Sequence, residues 1–162
     1  MPPVHVESLM LHLIQFPVTS PNLALPATLL RVQRLSIAKR TWRGEADDGV
    51  EFGFALNSPL KDGDTVFETR TTRYVVQQQP ESVIEIPLDV APSAAAGIGW
   101  AVGNLHLELS AEATRLLAAD EPAVRQLLAR LKIPYTTTTA IFRPGHFVRG
   151  TQVHELGRSH QH

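Results

Sequence analysis

The sequence predicts an α+β fold with a β-rich N-terminal domain over residues 1–80, a ferredoxin-like domain over 81–144 and a flexible His-containing tail over 145–162. Short segments of alternating apolar residues fill the first half, and this alternation is typical of strands. The second half shows the order β-α-β-β-α-β, which is that of a ferredoxin-like domain. After Pro144 the periodicity ends, and four of the seven histidines follow it.

The composition restricts the chemistry that is available. The 162 residues include 15 Lys+Arg and 16 Asp+Glu, with a formal net charge of -1. A protein that binds nucleic-acid backbones needs a basic excess, so we expect no nucleic-acid partner. Because the chain has no Cys, any metal site must use His, Asp, Glu, backbone or water. The apolar stretches are shorter than the ~20 residues of a membrane-spanning helix. No signal peptide is evident either, so we expect a cytoplasmic protein without membrane contact.

The N-terminal domain is predicted to contain short strands joined by polar turns. Five prolines precede Thr28 and restrict the start of the chain to one short edge strand. The Pro-Leu-Lys-Asp-Gly-Asp segment at 59–64 is a turn in which Gly63 can take a positive φ. The predicted strands cover residues 9–16, 29–39 and 50–56, and a hairpin joins 66–69 to 73–78.

The second domain is predicted to alternate strands with two helices. Pro92 opens an Ala-rich helix that continues to about Val102, and its small side chains allow close packing on a sheet. A second helix carries Pro122 in its first turn and ends before Pro134. The predicted strands cover residues 83–88, 106–109, 114–117 and 135–142.

The segment Gly103-Asn104-Leu105-His106 provides the first candidate metal ligand. Gly and Asn tolerate the left-handed backbone conformation and therefore end a helix well. His106 is expected to begin a strand with its side chain outward, opposite Leu107 and Leu109. A histidine in such a place is most often an ordinary surface residue. If the outward face formed a symmetric dimer interface, two copies of His106 would meet and form a half-site that no monomer possesses.

The tail provides further candidate ligands. His160 and His162 lie on the same side of an extended chain, and His154 precedes them. Neutral imidazole binds nickel, zinc and copper, and His-rich tracts are a compositional sign of metal binding. The alternative is a solvated polar terminus with incidental histidines.

Motifs of catalytic sites are absent from the sequence. Carboxylate pairs such as Asp47-Asp48 and Asp120-Glu121 lie at predicted turns or helix starts, where carboxylates are favoured for structural reasons. The chain has no Gly-x-Ser-x-Gly, His-Glu-x-x-His or Gly-x-x-x-x-Gly-Lys-Ser/Thr motif. We therefore expect a protein that is not an enzyme.

The order of several short motifs resembles the UreE family of urease accessory proteins, the nickel metallochaperones of urease maturation. These motifs are the turn at Leu60–Asp64, Gly103-Asn104-x-His106, the helix opened by Asp120, Ala140-Ile141-Phe142-x-Pro144 and the His-bearing tail. The resemblance covers roughly residues 28–162.

The resemblance implies a two-domain homodimer that binds Ni²⁺, although Zn²⁺ or Cu²⁺ could also bind in vitro. It implies that the family's Gly-Asn-Arg-His motif places a nickel ligand at the dimer interface, which corresponds here to His106. It also implies further ligands in the tail, for which His154, His160 and His162 are the candidates. The implied partners are the urease apoprotein complex and a GTPase accessory protein.

Two positions depart from the family pattern. Leu105 stands where the motif has Arg, so whatever that cation contacts is lost. Asp120 and Glu121 stand near the helix start where some members carry further histidines, so we expect no peripheral metal site there.

Two other functions are compatible with these residues. The first is a non-catalytic binding module of the same fold that has lost its metal role, which Leu105 would allow; the metal stoichiometry distinguishes it. The second is a metal-dependent hydrolase, which needs an open coordination position and a general base. Glu108, on the same predicted strand face as His106, is the candidate base, and a screen for turnover would reveal it.

Overall fold

A computed structural model describes residues 11–145 and, as backbone, residues 146–149 and 152–155. The chain divides into two compact units, the first ending at Gln79 and the second beginning at Pro80. Strands and helices occur in both units, which confirms the predicted α+β class. In the part of the chain that the structure describes, no helix is long and apolar enough to span a membrane.

The first unit consists of two three-stranded sheets and one helical turn. The elements are β1 His12–Ile14, β2 Ala27–Val32, α1 Arg34–Ile37, β3 Thr41–Glu45, β4 Glu51–Ala55, β5 Thr65–Glu68 and β6 Arg73–Gln78. The strand orders are β1-β4-β3 and β2-β6-β5, with parallel β1/β4 and β2/β6 pairs. The predicted hairpin is confirmed, since β5 and β6 pair antiparallel.

An aromatic cluster fills the core of this unit. Phe52 is fully buried, and its ring centroid lies 5.1 Å from that of Tyr74 and 5.6 Å from that of His12. Trp42 stacks on Phe54 with ring centroids 3.9 Å apart. His12 is therefore a packing residue of the first unit.

The predicted strand at 29–39 is wrong beyond Val32. The backbone N–H groups of Ser36 and Ile37 both donate to the carbonyl oxygen of Gln33, at 2.9 and 3.1 Å, and close the single helical turn α1. This turn satisfies the backbone locally while the chain passes from one sheet to the other. Ile37 is buried by it, and Leu35 is left exposed.

The second unit is a six-stranded sheet with two helices. The elements are β7 Glu81–Pro87, α2 Pro92–Gly103, β8 Leu109–Ala111, β9 Arg115–Ala119, α3 Pro122–Leu131, β10 Thr136–Ala140, β11 His146–Arg149 and β12 Gln152–Glu155. The strand order is β10-β7-β9-β8-β11-β12, and every neighbouring pair is antiparallel except β8 with β11.

Both helices pack on one face of this sheet. The buried cluster between them consists of Ile84, Ile86, Ile98, Val102, Leu116, Ala118, Val124, Leu127 and Leu128. Both helices begin with proline, as predicted. Proline is favoured there because the N–H groups of the first helical residues have no acceptor within the helix. Lys132 ends α3 in a left-handed conformation with φ 55°.

The opposite face of the sheet is covered by the chain that leaves β10. Residues 141–145, the crossing segment, connect β10 at one edge of the sheet to β11, which lies beyond β8. Phe142 in this segment is fully buried against Val83 of β7 and Leu117 of β9. The N–H of Gly145 then donates to the carbonyl oxygen of Leu109 at 2.9 Å.

The strands β11 and β12 lie within the predicted tail at 145–162, whose flexibility stays a prediction. These two strands pair with each other and extend the sheet beyond β8. Strand formation satisfies backbone groups that an irregular tail would leave to water. Val148 and Val153, which are register partners, are β-branched and favour strands.

Candidate metal centre

His106 lies in a turn directly after α2, and the predicted strand at 106–109 is wrong because β8 begins only at Leu109. The N–H of Leu105 donates to the carbonyl oxygen of Val102 at 3.1 Å, and that of His106 donates to Gly103 at 3.0 Å. Two successive tight turns therefore prolong the end of the helix and delay the strand.

The backbone of His106 is held in the left-handed region. Its φ is 57°, and within the described residues only Lys132 is a second non-glycine residue with positive φ. This conformation costs about 1–2 kcal/mol in a residue with a Cβ. Strain of this kind is concentrated at functional sites. Because the side chain of His106 is exposed, core packing does not explain why a histidine occupies this position.

The residues on either side of His106 fasten the turn to the core. Leu105, Leu107 and Leu109 are half-buried and pack against the apolar cluster of the second unit. Leu105 therefore anchors the turn through an apolar contact. The imidazole of His106 is exposed to solvent, while the neighbouring leucines fix the backbone of the turn to the core.

An apolar surface on α2 adjoins this turn. Trp100 is 73% exposed, although it is the largest side chain of the helix. Gly97 and Gly103, one turn away on either side, would meet nothing within 4 Å if they carried a Cβ. The helix contains no charged residue at all. A helix that is apolar all round is normally buried, so this surface lacks its partner in the single chain.

The nearby carboxylates serve structural contacts. Asp120 accepts hydrogen bonds from Ser82 Oγ and Arg125 Nε, each at 2.8 Å. The hydrogen bond from Ser82, which has the larger effect, and that from Arg125 hold the pKa of Asp120 below its usual value. The predicted absence of a peripheral metal site near Asp120 and Glu121 stays a prediction.

A second carboxylate group lies at the far end of β9. Arg115 pairs with Glu85 at 2.7 Å and with Glu112 at 2.6 Å. Hydrogen bonds to Glu112 and then Glu85 raise the pKa of Arg115. This half-buried group is an ion-pair network that ties β7 to the β8–β9 hairpin.

Among the side chains of residues 11–145, no three from His, Asp or Glu come together in a way that could hold a metal ion. His106 is therefore not joined by further ligands from the described part of its own chain. The exposed Glu108 lies two residues on, between the turn and β8. A metal site at His106 would therefore need donors from outside these residues.

The strand register locates the end of β12, the point from which residues 156–162 continue. His154 lies in β12, whereas His160 and His162 lie outside the described residues. β11 runs parallel to β8, with Phe147 beside Ala111. β12 returns antiparallel, so that its last residue, Glu155, is the register partner of His146. The chain therefore leaves β12 at the end of the sheet where β8 begins, which is the end nearest the His106 turn.

Sequence reasoning missed two features of this region. The first is the exposed Trp100 surface, for which the signal was a helix without charged residues. The second is the β11–β12 hairpin, for which the signal was Phe147-Val148 and Val153 on either side of Gly150.

Comparisons with known proteins identify the second unit most clearly. The family described as "UreE urease accessory protein, C-terminal domain" matches residues 81–162. A urease accessory protein UreE of Deinococcus radiodurans is 34% identical over 129 residues, which cover 77% of this chain and 78% of that protein. The UreE of Geobacillus kaustophilus is 32% identical over 116 residues, 69% of this chain and 78% of the relative.

The match to a third relative is shorter. The UreE of Bifidobacterium longum subsp. infantis is 34% identical over 87 residues, which are 53% of this chain and 39% of that protein. The chain thus spans well under half of the Bifidobacterium protein and more than three quarters of the other two.

Proposed function

Since this chain belongs to the UreE family of urease accessory proteins, we propose that it binds Ni²⁺ and delivers it during urease assembly. Members of this family are chaperones rather than catalysts, and the expectation that the chain is not an enzyme is thereby confirmed. The observation that carries the proposal is the exposed His106, held in a strained left-handed turn that the core anchors on both sides.

The proposed metal site is shared by two copies of the chain. Within each chain, Trp100 and the His106 turn lie at the same end of α2. A symmetric dimer that buries the Trp100 surface would therefore also bring the two His106 turns together. The dimer would cover the charge-free face of the helix. Two imidazoles from a two-fold axis then supply ligands that one chain does not hold.

Tail histidines complete the site in this proposal. β12 lies two strands from β8, a separation of about 10 Å. The five residues from Glu155 to His160 can span about 16–18 Å, and the three from Leu109 back to His106 about 10 Å. His160 and His162 are therefore within reach of the turn. His154 is a candidate by position on β12.

The role of each unit follows from this arrangement. We regard the second unit as ferredoxin-like, which its antiparallel order β10-β7-β9-β8 and its two helices on one face support. The first unit would bind the urease apoprotein complex, and a GTPase accessory protein would take part in the transfer of nickel. The proposal keeps the expected cytoplasmic location.

Calorimetric titration of the metal-free protein with Ni²⁺ tests the proposal. His106→Asn removes the imidazole but retains a residue type that tolerates positive φ. We expect it to abolish the tightest nickel site and to leave the dimer intact. His12→Phe is the matched control, since it removes an imidazole from the aromatic core of the first unit while keeping a ring there. Equal nickel binding by His106→Asn and the wild type would disprove the proposal.

A further inference from the structure

The strand β10 forms an open edge of the six-stranded sheet. It pairs with β7 on one side and stands first in the strand order, so no described strand lies on its other side. Within the described residues, no backbone hydrogen bond other than those of the ladder with β7 reaches residues 136–140. Thr136, Thr137 and Thr139 are exposed. The strand therefore offers unpaired backbone groups at the protein surface.

The hydrogen bonding of β7 shows which residues of β10 direct their backbone groups outward. The N–H of Leu88, directly after β7, donates to the carbonyl oxygen of Thr114 on the β9 side at 2.9 Å. Backbone groups alternate between the two sides of a strand, so even-numbered residues of β7 bond to β9 and odd-numbered ones to β10. Thr138 has an odd-numbered register partner and therefore exchanges its bonds with β7. Thr137 and Thr139 consequently direct their N–H and C=O groups away from the sheet.

Two edge strands of the first unit are covered by neighbouring backbone, whereas β10 has no such cover in the described chain. The N–H of Val18 donates to Thr65 of β5 at 2.8 Å, and that of Asp47 donates to Leu29 of β2 at 2.9 Å. Exposed edges are otherwise protected by charged residues, prolines or bulges. β10 has the sequence Thr-Thr-Thr-Thr-Ala and an unbroken register with β7. Such an edge is suited to pairing with another extended chain.

The charges beside β10 indicate which chain would pair with it. Residues 122–145 include four cationic side chains and no acidic one. Arg130 and Lys132 lie exposed just before β10, and no described residue forms an ion pair with either. Acidic groups on a pairing chain would meet these two cations at the start of β10. An antiparallel pair of two β10 strands would instead bring them towards Arg143 of the second copy, which disfavours self-pairing.

We propose that β10 is a docking edge for an extended, acidic segment of a partner protein, which joins the sheet as a further strand. The backbone groups of Thr137 and Thr139 bind the segment, and acidic residues at one of its ends meet Arg130 and Lys132. The His106 turn leads into β8, which β7 and β9 separate from β10. The docking edge is therefore distinct from the proposed nickel site and does not depend on it.

A synthetic peptide tests the inference with the full-length protein. The probe is Asp-Glu-Thr-Val-Thr-Val-Thr with blocked ends, and its binding is followed by NMR titration of the isotope-labelled protein. The amide signals of Thr137 and Thr139 should shift and their hydrogen exchange should slow, because their N–H groups gain acceptors. Amides of β8 should not respond. A peptide with two lysines in place of the acidic residues should bind at least about fivefold more weakly.

The variants Thr137→Pro and Thr137→Val distinguish backbone recognition from a side-chain effect. Proline removes the outward N–H and is tolerated on an edge strand, so it should weaken peptide binding at least about tenfold. Valine is the matched control because it keeps the N–H and a β-branched side chain, so the affinity should stay within about twofold of the wild type. Thr139→Pro provides the same test if Thr137→Pro does not fold. All of these variants should bind Ni²⁺ as the wild type does.

Charge reversal tests the second part of the recognition. Arg130→Glu together with Lys132→Glu should reverse the preference between the acidic and the lysine peptide. Equal peptide binding by the proline and valine variants of Thr137, or no response of β10 to millimolar peptide, would overturn the proposal. Sedimentation of the protein without peptide examines self-pairing. If Thr137→Pro, but not Thr137→Val, reduces the size of the oligomer, β10 pairs with a second copy and the proposal is likewise overturned.

Discussion

Replacing His106 by glycine should make the metal-free protein more stable while removing its nickel site. The left-handed backbone at φ 57° costs a residue with a Cβ about 1–2 kcal/mol. Glycine avoids this cost but loses about 0.5–1 kcal/mol through its greater freedom in the unfolded chain. The midpoints of these ranges leave a net gain of about 0.75 kcal/mol, within a span of about 0–1.5 kcal/mol, since the exposed imidazole contributes no core contact. For a unit of this size, such a gain raises the melting temperature by roughly 3–6 °C.

Lys132 offers a matched control within the same unit. Its φ is 55°, and it ends α3 much as His106 follows the end of α2. Lys132→Gly should therefore stabilise the unit by a similar amount, because glycine is the preferred residue at this helix end. Unlike His106→Gly, it should leave nickel binding unaltered.

Urea unfolding of both variants, followed by the helical circular dichroism signal, measures the two gains. The longer helices α2 and α3 both belong to the second unit, so this signal reports mainly on that unit. Protein concentration is held constant because dimerisation would add to stability. If Lys132→Gly stabilises the protein and His106→Gly does not, the argument from backbone strain at His106 is refuted. Tight nickel binding by His106→Gly would refute its role as a ligand.

Three further outcomes are expected. Trp100→Glu should shift the protein to a monomer in light scattering and weaken nickel binding with it, because a charge would be buried on the α2 surface. Nickel affinity measured across pH should be near its maximum above about pH 7.5 and fall steeply below about pH 6, since only neutral imidazole coordinates. A flat profile would indicate carboxylate ligands. Folding lowers the pKa of Asp120 from its ordinary value of 3.8. The charged carboxylate therefore stabilises the fold at pH values above 3.8, and this stabilisation is lost as the pH falls through the lower pKa of the folded state. Asp120→Asn should therefore lose less stability than the wild type in acid unfolding.

The local signals in the sequence predicted the regular elements of the second unit well. Pro122 and Pro134 enclose α3, and Pro92 begins α2, because proline acts on its own backbone whatever the tertiary surroundings. The alternation around Ile84 and Ile86 likewise predicted β7, whose inward face those residues form. Each of these predictions depended on residues close together in the chain.

The turn at His106 and the β11–β12 hairpin depended on distant partners. Leu107 and Leu109 alternate as a strand would, but the contacts of Leu105 with the core and the bond from His106 to Gly103 hold the chain in a turn. β11 is a strand because Gly145 and Phe147 meet β8, which lies more than thirty residues earlier. Periodicity within a short window does not contain such information.

The proposed site is suited to a metal that must be given up again. Imidazole without thiolate is a ligand set of intermediate softness, and each chain contributes a single imidazole from a surface turn. In the proposed site, retention of nickel would depend on the second copy of His106 and on ligands from the C-terminal residues, which the chain itself keeps near the site. A partner that binds the residues after Glu155 would withdraw those ligands and lower the affinity without unfolding either unit. In this proposal, release would be controlled at the end of the chain, while the His106 turn stays fixed by Leu105 and the core beneath it.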